Sequence, residues 1–287
     1  MQDWRSYDQA GLNAQFELST IRDLEAIFAR RLVASRRARA AHLHRSGVPY
    51  GPGEADRLDV FPVPGGRDHP VMVFIHGGFW RSLDAATFSF VADGFVPHGA
   101  ALINLDYPLI PAVRLADIVA SCKAAIVWIH RNARSFGASP DRIYVSGNSA
   151  GGHLAALLAD RSWPSTMGLP TDVVKGACAM SGLYDLEPVQ RSSQNETLHL
   201  TDDEVSRLSP RRHLPHAAAP TIFTVGGDET AEFRRQNRDL ADAWSAAGLE
   251  CEHRIESGLN HISIVVDGFA APGHALNTAV RRMMGIA

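Results

Sequence analysis

Arg142-Ile143-Tyr144-Val145-Ser146-Gly147-Asn148-Ser149-Ala150-Gly151-Gly152-His153 has the pattern of a short apolar strand, a sharp turn that carries one serine, and the start of a helix. A G-x-S-x-G turn holds its serine at a strained strand-to-helix corner, where only glycines such as Gly147 and Gly151 let the neighbouring backbone pass closely. The pattern therefore predicts that the Ser149 hydroxyl stands clear of a sheet. The first N–H of the following helix, that of Ala150, is expected to face the same point.

Short apolar stretches alternate with helical stretches from about residue 57 onward. We expect strands at Leu58–Phe61, Val71–Ile75, Ala100–Leu105, Ile143–Ser146, Val174–Met180, Thr221–Val225 and Glu252–Ile255. We expect helices near Arg114–Phe136, Gly151–Asp160, Ala231–Gly248 and His274–Met284. Such alternation predicts an α/β fold, with a mostly parallel, doubly wound sheet covered by helices on both faces.

Two segments lie outside this alternation. An amphipathic pattern over Ser19–Leu43 predicts a helix, so we divide the chain into an N-terminal helical extension, residues 1–50, and an α/β domain, residues 51–287. Residues 182–219 are polar and hold three prolines, and they follow a strand whose carboxyl end is expected at the ligand-binding edge. We interpret residues 182–219 as a lid, with a surface excursion that touches no ligand as the alternative.

Composition and charge narrow the class of protein. The chain has 287 residues, 45% of them hydrophobic, and a formal net charge of −3, which suits one large globular domain and gives no reason to expect a nucleic-acid or membrane partner. No export signal is visible at residues 1–10, and the odd number of scattered cysteines suits a reducing cytoplasm. For the one dense basic run we favour a solvated helix face over an anion site: Arg30, Arg31, Arg36, Arg37 and Arg39.

A serine nucleophile needs a base and an acid that holds the base. Both are expected at the carboxyl ends of later strands, in the chain order Ser, then Asp or Glu, then His. Asp228 follows the strand Thr221–Val225 and is our predicted acid, with Glu229 as the nearest alternative and Glu232 as a weaker one. His261 follows the next strand and is our predicted base.

Acyl transfer also requires donors for the developing oxyanion. The strand Val71–Ile75 runs into His76-Gly77-Gly78-Phe79-Trp80, and paired glycines let such a loop turn its N–H groups toward one point. We predict that the N–H groups of Gly78, Phe79 and Ala150 form the oxyanion hole and that His76 braces the loop. No set of metal ligands and no phosphate loop is visible, so neither a metal nor a cofactor is expected.

Taken together, these motifs are similar to those of a known superfamily. The chain resembles the α/β-hydrolases, in the branch near the hormone-sensitive-lipase-like esterases, over residues 57–285. The resemblance is carried by the motifs at 76–80 and 147–153 and by Asp228 and His261, which follow them in order. A narrower resemblance is to the kynurenine formamidase (arylformamidase) family. It is carried by the run Ser181-Gly182-Leu183-Tyr184-Asp185-Leu186-Glu187-Pro188 and by the blocks at 207–210, 226–229 and 235–237. Two positions depart from that family, which usually has His at Asn148 and Tyr at Phe79.

The resemblance implies an α/β-hydrolase fold and a metal-independent serine hydrolase of tryptophan catabolism. Its implied reaction is the cleavage of an aryl formamide such as N-formyl-L-kynurenine through an acyl-enzyme on Ser149. An aromatic wall for this small-molecule substrate could come from Phe79, Trp80 and Tyr184, with a place in the core as the alternative for each. The other functions left open are a carboxylesterase or amidase for small esters or amides, and a non-catalytic ligand-binding protein. A homodimer is also left open.

Overall fold

An eight-stranded sheet lies at the centre of the computed structural model, which describes residues 3–286. Its strands lie in the order β1-β2-β4-β3-β5-β6-β7-β8. Strands β3 to β8 are mutually parallel, whereas β1 and β2 are antiparallel to their neighbours. The predicted mostly parallel sheet is confirmed, with these bounds: β1 (Arg45–Pro49), β2 (Arg57–Phe61), β3 (His69–Ile75), β4 (Ala101–Leu105), β5 (Ala138–Asn148), β6 (Val174–Met180), β7 (Thr221–Gly226) and β8 (Cys251–Glu256).

Helices cover both faces of the sheet. The α-helices are α1 (Gln9–Gln15), α2 (Leu24–Ala41), α3 (Ala92–Phe95), α4 (Leu115–Asn132), α5 (Ala150–Leu158), α6 (Glu187–Arg191), α7 (Asn195–Leu198), α8 (Asp202–Leu208), α9 (Ala231–Ala246) and α10 (Ala275–Met283). Shorter turns of 3₁₀ helix include Ala85–Val91, and Ile264–Phe269 is a π-helix. Among residues 3–286, none of these helices has the length and apolar character needed to cross a membrane.

Strand β3 shows how the sequence builds two cores from one sheet. Successive side chains of a strand point to opposite faces. Val71, Val73 and Ile75 accordingly join the larger core, which contains α4, α5 and α9. Met72 and Phe74 join a smaller aromatic core that includes residues of Ala85–Val91 and of α10. All five side chains are fully buried, so a continuous apolar run marks a strand that is covered on both faces.

The N-terminal region is more closely joined to the sheet than the predicted division at residue 50 suggests. Strand β1 falls within the predicted extension and pairs with β2, and the sequence analysis missed it. Helix α2 packs against Ala85–Val91, where the Ser35 hydroxyl donates a 2.8 Å hydrogen bond to the Thr87 carbonyl. The helix begins at Leu24 rather than at Ser19, because Asp23 has a left-handed backbone with φ of 59°. Residues 1–50 thus contribute an edge strand and a covering helix.

Candidate active site

Ser149 lies at the corner between β5 and α5, with φ of 59° and ψ of −121°. Glycines make this strained corner possible, because a Cβ on Gly151 would lie 2.0 Å from the carbonyl oxygen of Ile75. A Cβ on Gly147 would lie 2.2 Å from the carbonyl oxygen of Gly151. The Ser149 N–H donates to the carbonyl of Met180 at 2.9 Å, which ties the corner to β6. The serine is therefore held in the geometry of a nucleophile elbow.

His261 follows β8 and is buried beside the same corner. Its Nδ1 lies 2.6 Å from Oε2 of Glu229, and its ring packs against Phe233 with 4.2 Å between ring centroids. Its Nε2 is also buried and has no hydrogen-bond partner within residues 3–286. Ser149 and His261 line one cavity, so the structure brings these two predicted residues together.

The carboxylate that contacts His261 belongs to Glu229, so the structure does not place Asp228, the predicted acid, beside the predicted base. Oε1 of Glu229 accepts hydrogen bonds from the Gly226 N–H at 2.7 Å and from the Ser181 hydroxyl at 2.5 Å. These two bonds draw the Glu229 side chain back under the turn after β7 and leave Oε2 for the histidine. The neighbouring Asp228 side chain is exposed instead, and within the described chain it makes no hydrogen bond or ion pair.

Two further residues bear on the choice of the acid. Glu232, the weaker alternative, forms an ion pair with Arg235 on α9, 2.7 Å away, and does not approach the histidine. Ser181 was missed as a partner of the acid, although it opens the quoted run at the end of β6. Its backbone is left-handed, with φ of 49°. The sequence signal that could have identified Ser181 is its position directly after a parallel strand, because the carboxyl ends of such strands meet at one edge of the sheet.

The loop after β3 has the conformation expected of an oxyanion hole. Gly78, Phe79 and Trp80 have successive φ values of 100°, 49° and 55°, so the chain turns sharply beside Ser149. A Cβ on Gly78 would lie 2.3 Å from the Ser82 carbonyl oxygen, which explains the second glycine. Within residues 3–286, the N–H groups of Gly78, Phe79 and Ala150 donate no hydrogen bond. Gly78 and Phe79 line the same cavity as Ser149, and Ala150 directly follows that serine.

His76 supports this loop as a neutral side chain. Its Nδ1 lies 2.8 Å from the Gly77 carbonyl oxygen, and its ring stacks on Tyr107 with centroids 4.3 Å apart. The Tyr107 hydroxyl in turn donates to the His76 carbonyl at 2.9 Å. Burial lowers the pKa of His76 to about 4, so the ring is uncharged at neutral pH. These contacts support the brace predicted for this residue.

The cavity beside Ser149 has a volume of about 170 Å³, and the N-terminal region forms part of its wall. Leu18, Phe28 and Arg31 contribute to its lining, and no residue of the predicted lid, 182–219, does so. The lid instead packs beside the site, where the Gln194 side chain accepts a 2.7 Å hydrogen bond from Arg81. The roof of the cavity is therefore formed mainly by α2 and the segment before it, which the sequence analysis placed outside the site.

Two predicted substrate contacts belong to the core. Trp80 is 0% exposed and meets the edge of the His153 ring, with centroids 5.2 Å apart. Tyr184 is also 0% exposed, and its hydroxyl donates to the Ala179 carbonyl at 3.1 Å. Neither side chain lines the cavity, so their prediction as substrate-binding residues is corrected. Three other aromatic residues line it: Phe28, Phe79 and Phe88.

Asn148, the residue that departs from the family pattern inside the elbow, is part of the site. Its side-chain amide donates a 3.3 Å hydrogen bond to the carbonyl of His261, and both residues line the cavity. The asparagine thus links the loop that holds His261 to the elbow at Ser149. A wider groove of about 820 Å³ adjoins the cavity on the other side of His261, between the N-terminal segment and the loop that holds Asp228.

No potential metal centre is found in the described part of the chain, since no three side chains among its His, Cys, Asp and Glu residues cluster in a way that could hold an ion.

Comparison with known proteins places this site in a family. The BD-FAE family model matches residues 58–229, which is more than half of the chain. The kynurenine formamidase of Danio rerio is 28% identical over 99% of both chains. A Silicibacter sp. crystal structure, provisionally described as a thioesterase, is 27% identical with a TM-score of 0.81, over 93% of this chain and 97% of that one.

A hyperthermophilic esterase from Pyrobaculum calidifontis has the same fold, with a TM-score of 0.72, 19% identity and 95% of each chain covered. The sheet order, the elbow at Ser149 and these similarities agree with one another. The chain belongs to the BD-FAE family and is an α/β-hydrolase enzyme of the kynurenine formamidase-like branch, near the hormone-sensitive-lipase-like esterases.

Proposed function

We propose that this enzyme is a serine hydrolase that cleaves an aryl formamide, most simply N-formyl-L-kynurenine, into the aromatic amine and formate. The observation that carries the proposal is the buried Nε2 of His261, which has no partner in residues 3–286 and lines one cavity with Ser149. The full-length similarity to a kynurenine formamidase supports the choice of substrate.

Acylation begins with attack of the Ser149 hydroxyl oxygen on the formyl carbon. His261 accepts the hydroxyl proton at Nε2, and the carboxylate of Glu229, 2.6 Å from Nδ1, fixes the required tautomer and stabilises the imidazolium. The formyl oxygen becomes negative, and the N–H groups of Gly78, Phe79 and Ala150 are the donors that stabilise it.

The tetrahedral intermediate then breaks the carbon–nitrogen bond. His261 returns its proton to the departing nitrogen, so the amine leaves neutral and a formyl ester remains on Ser149. Water attacks this ester while His261 takes one of its protons, and the same donors stabilise the second oxyanion. Ser149 leaves as the alcohol after regaining the proton, and the product is formate.

The dimensions of the site favour a small acyl group with a flat leaving group. The cavity of about 170 Å³ holds only a small part of a substrate beside the serine. Its aromatic lining, from Phe28, Phe79 and Phe88, suits a planar ring. The adjoining groove of about 820 Å³ shares His261 with the cavity and gives room to those parts of a larger substrate that the cavity does not hold.

The decisive assay compares N-formyl-L-kynurenine with 4-nitrophenyl acetate and butyrate by kcat/KM, with Ser149→Ala as the control. We expect turnover of the formamide at a higher kcat/KM than either ester, and loss of all three activities in the variant. Turnover of the esters without the formamide would instead support a carboxylesterase, the alternative that the similarity in fold to the Pyrobaculum esterase favours.

Covalent labelling separates an enzyme of this kind from a non-catalytic binding protein on the same fold. A fluorophosphonate probe should label the wild type and leave Ser149→Ala unlabelled. An unlabelled wild type would contradict the serine mechanism. We place the reaction in the cytoplasm as part of the same proposal, because Cys122, Cys178 and Cys251 are all free thiols.

A further inference from the structure

Helix α2 carries five arginines, and one of them has a different environment from the rest. Arg30 and Arg37 form ion pairs with Asp267 and Asp93 at 2.8 Å and 3.1 Å, and Arg39 forms one with Asp59. Arg36 is exposed, as predicted for a solvated face. Arg31 lies on the opposite side of the helix, against the body of the protein. It is buried, so the predicted solvated face is wrong for this residue.

The Arg31 guanidinium is buried and forms no ion pair in the described part of the chain, and the carboxylate that acts on its charge from nearby is that of Asp84. The residue is 4% exposed, and within residues 3–286 it makes no ion pair and its Nε makes no hydrogen bond. Its Cζ lies 4.2 Å from the centroid of the Phe88 ring and 5.1 Å from that of Phe28. Burial lowers the pKa of Arg31 to about 10, so the side chain still carries its charge at neutral pH. A buried charge that makes no ion pair or hydrogen bond is unfavourable, and here only the Asp84 charge and the two aromatic rings offset that cost among the described residues, which is unusual for a merely structural residue.

This charge faces the catalytic cavity. Arg31 lines the same space of about 170 Å³ as Ser149 and His261. The only other charged residue of the lining is Arg81, whose guanidinium already donates to Gln194 at 2.7 Å. Among residues 3–286, no carboxylate lines the cavity, so an anion in the cavity would meet positively charged side chains.

We propose that Arg31 is a specificity-determining residue that binds a carboxylate of the substrate. The planar fork of a guanidinium matches a carboxylate in two parallel hydrogen bonds, and the two phenylalanine rings hold the fork in place. A site built around an unpaired donor rejects a neutral analogue because the donor then stays unpaired. This inference rests on the proposed hydrolysis at Ser149 and names the substrate class as carboxylate-bearing amides or esters.

The test uses substrate pairs that differ only in a carboxylate and its carboxamide. N-formyl-L-kynurenine and its carboxamide form the formamide pair. Among esters, 4-acetoxybenzoate and 4-acetoxybenzamide place the charge on the leaving group, and monomethyl succinate and methyl succinamate place it on the acyl group. Each pair is measured with the wild type, Arg31→Gln and Arg31→Lys. Arg36→Gln is the matched control, because it removes the same charge from an exposed position of the same helix.

We expect the wild type to prefer the carboxylate in at least one pair by about tenfold to a hundredfold in kcat/KM, the range for a charge-assisted hydrogen bond. Arg31→Gln should abolish that preference and leave the neutral member within about threefold of the wild type. Arg31→Lys should keep part of it, and Arg36→Gln should keep all of it. The inference is overturned if no pair shows a preference, if the preference survives in Arg31→Gln, or if that variant lowers both members equally.

The same experiments distinguish the carboxylate site at Arg31 from the choice of N-formyl-L-kynurenine as the substrate. If the formamide pair is not turned over but an ester pair depends on Arg31, the formamidase assignment fails and the carboxylate site stands. Binding of L-kynurenine and of its carboxamide, neither of which has a scissile bond, is followed by calorimetry as a readout without turnover. Equal affinities of the wild type for these two compounds, together with no preference in any ester pair, would overturn the carboxylate site.

Discussion

Replacing Glu229 with Gln tests the assignment of the acid most directly, because the structure dictates how the new amide must sit. Oε1 of Glu229 accepts from the Gly226 N–H, which can only donate, and from the Ser181 hydroxyl. In Glu229→Gln this position must therefore be filled by the amide oxygen. The amide nitrogen then occupies the place of Oε2, 2.6 Å from Nδ1 of His261, and presents an N–H to it.

A donor at this place selects the wrong tautomer of the base. Nδ1 must accept, so the proton of the neutral ring moves to Nε2, and Nε2 can no longer take the proton of Ser149. The same change in a serine protease lowers kcat by about ten-thousandfold, which corresponds to roughly 5.5 kcal/mol of transition-state stabilisation. We expect a loss of this size here. Asp228→Asn changes an exposed side chain without partners in the described residues, so kcat should stay within about twofold of the wild type.

The assay is the kcat for 4-nitrophenyl acetate and for N-formyl-L-kynurenine, with Ser149→Ala as the background and urea unfolding as the control for folding. Because Gln has the shape of Glu, both variants should remain folded. The rate of fluorophosphonate labelling reports the acylation step alone and should fall in Glu229→Gln but not in Asp228→Asn. A Glu229→Gln enzyme with more than a tenth of the wild-type activity would refute the tautomer argument. A hundredfold loss in Asp228→Asn would return the role of the acid to Asp228.

Three further predictions follow from other contacts of the site. Gly151→Ala should lower the free energy of unfolding by about 1–3 kcal/mol in urea titrations, because its Cβ would lie 2.0 Å from a strand carbonyl, and an unchanged midpoint would contradict that crowding. Asn148→Ala removes the amide that holds the His261 loop, so kcat should fall about tenfold, which corresponds to the loss of one hydrogen bond, and KM should change little. A tenfold rise in KM would instead indicate that Asn148 contacts the substrate. Burial lowers the pKa of His76 and of His153 to about 4, so each of these histidines takes up a proton on unfolding and lowers the free energy of unfolding as the pH falls from about 6 to 4.5. Burial raises the pKa of Asp106 to about 6, so this carboxyl releases a proton on unfolding and offsets roughly 1.4 kcal/mol of that fall per pH unit. Asp106→Asn removes the opposing proton and should make that fall steeper by about the same amount, whereas an unchanged slope in urea titrations from pH 6 to pH 4.5 would contradict the raised pKa of Asp106.

The sheet and the elbow could be predicted from the sequence because their signals are local. A run such as Val71–Ile75 reports a strand buried on both faces, and a serine between small residues reports a tight corner. The choice between Asp228 and Glu229 is not local. It depends on the hydrogen bonds of one turn and on Ser181, which is 48 positions away along the chain, so adjacent acids on one loop look equivalent until the strands are paired.

The aromatic residues of the cavity also could not be predicted from local sequence signals. Trp80 and Tyr184 stand next to sequence motifs of the site, but both side chains turn into the core. Phe28 lies far from those motifs in the chain and Phe88 lies eight residues after Trp80, yet both line the cavity because α2 packs on the turn Ala85–Val91. Packing between distant segments therefore decides which rings a substrate would meet, and proximity to a motif does not.

The residue proposed for substrate specificity lies on α2, apart from the loops that hold the residues proposed for catalysis. The proposed nucleophile, base and oxyanion donors lie on loops at the ends of strands, whereas part of the cavity wall comes from α2. This helix packs against Ala85–Val91 and is held by ion pairs from Arg30, Arg37 and Arg39. A substitution on the inner face of α2 can alter charge above the serine without disturbing the elbow. Since Arg31 is the charged residue on that face, its replacement should change which substrates are hydrolysed far more than how fast a neutral ester reacts.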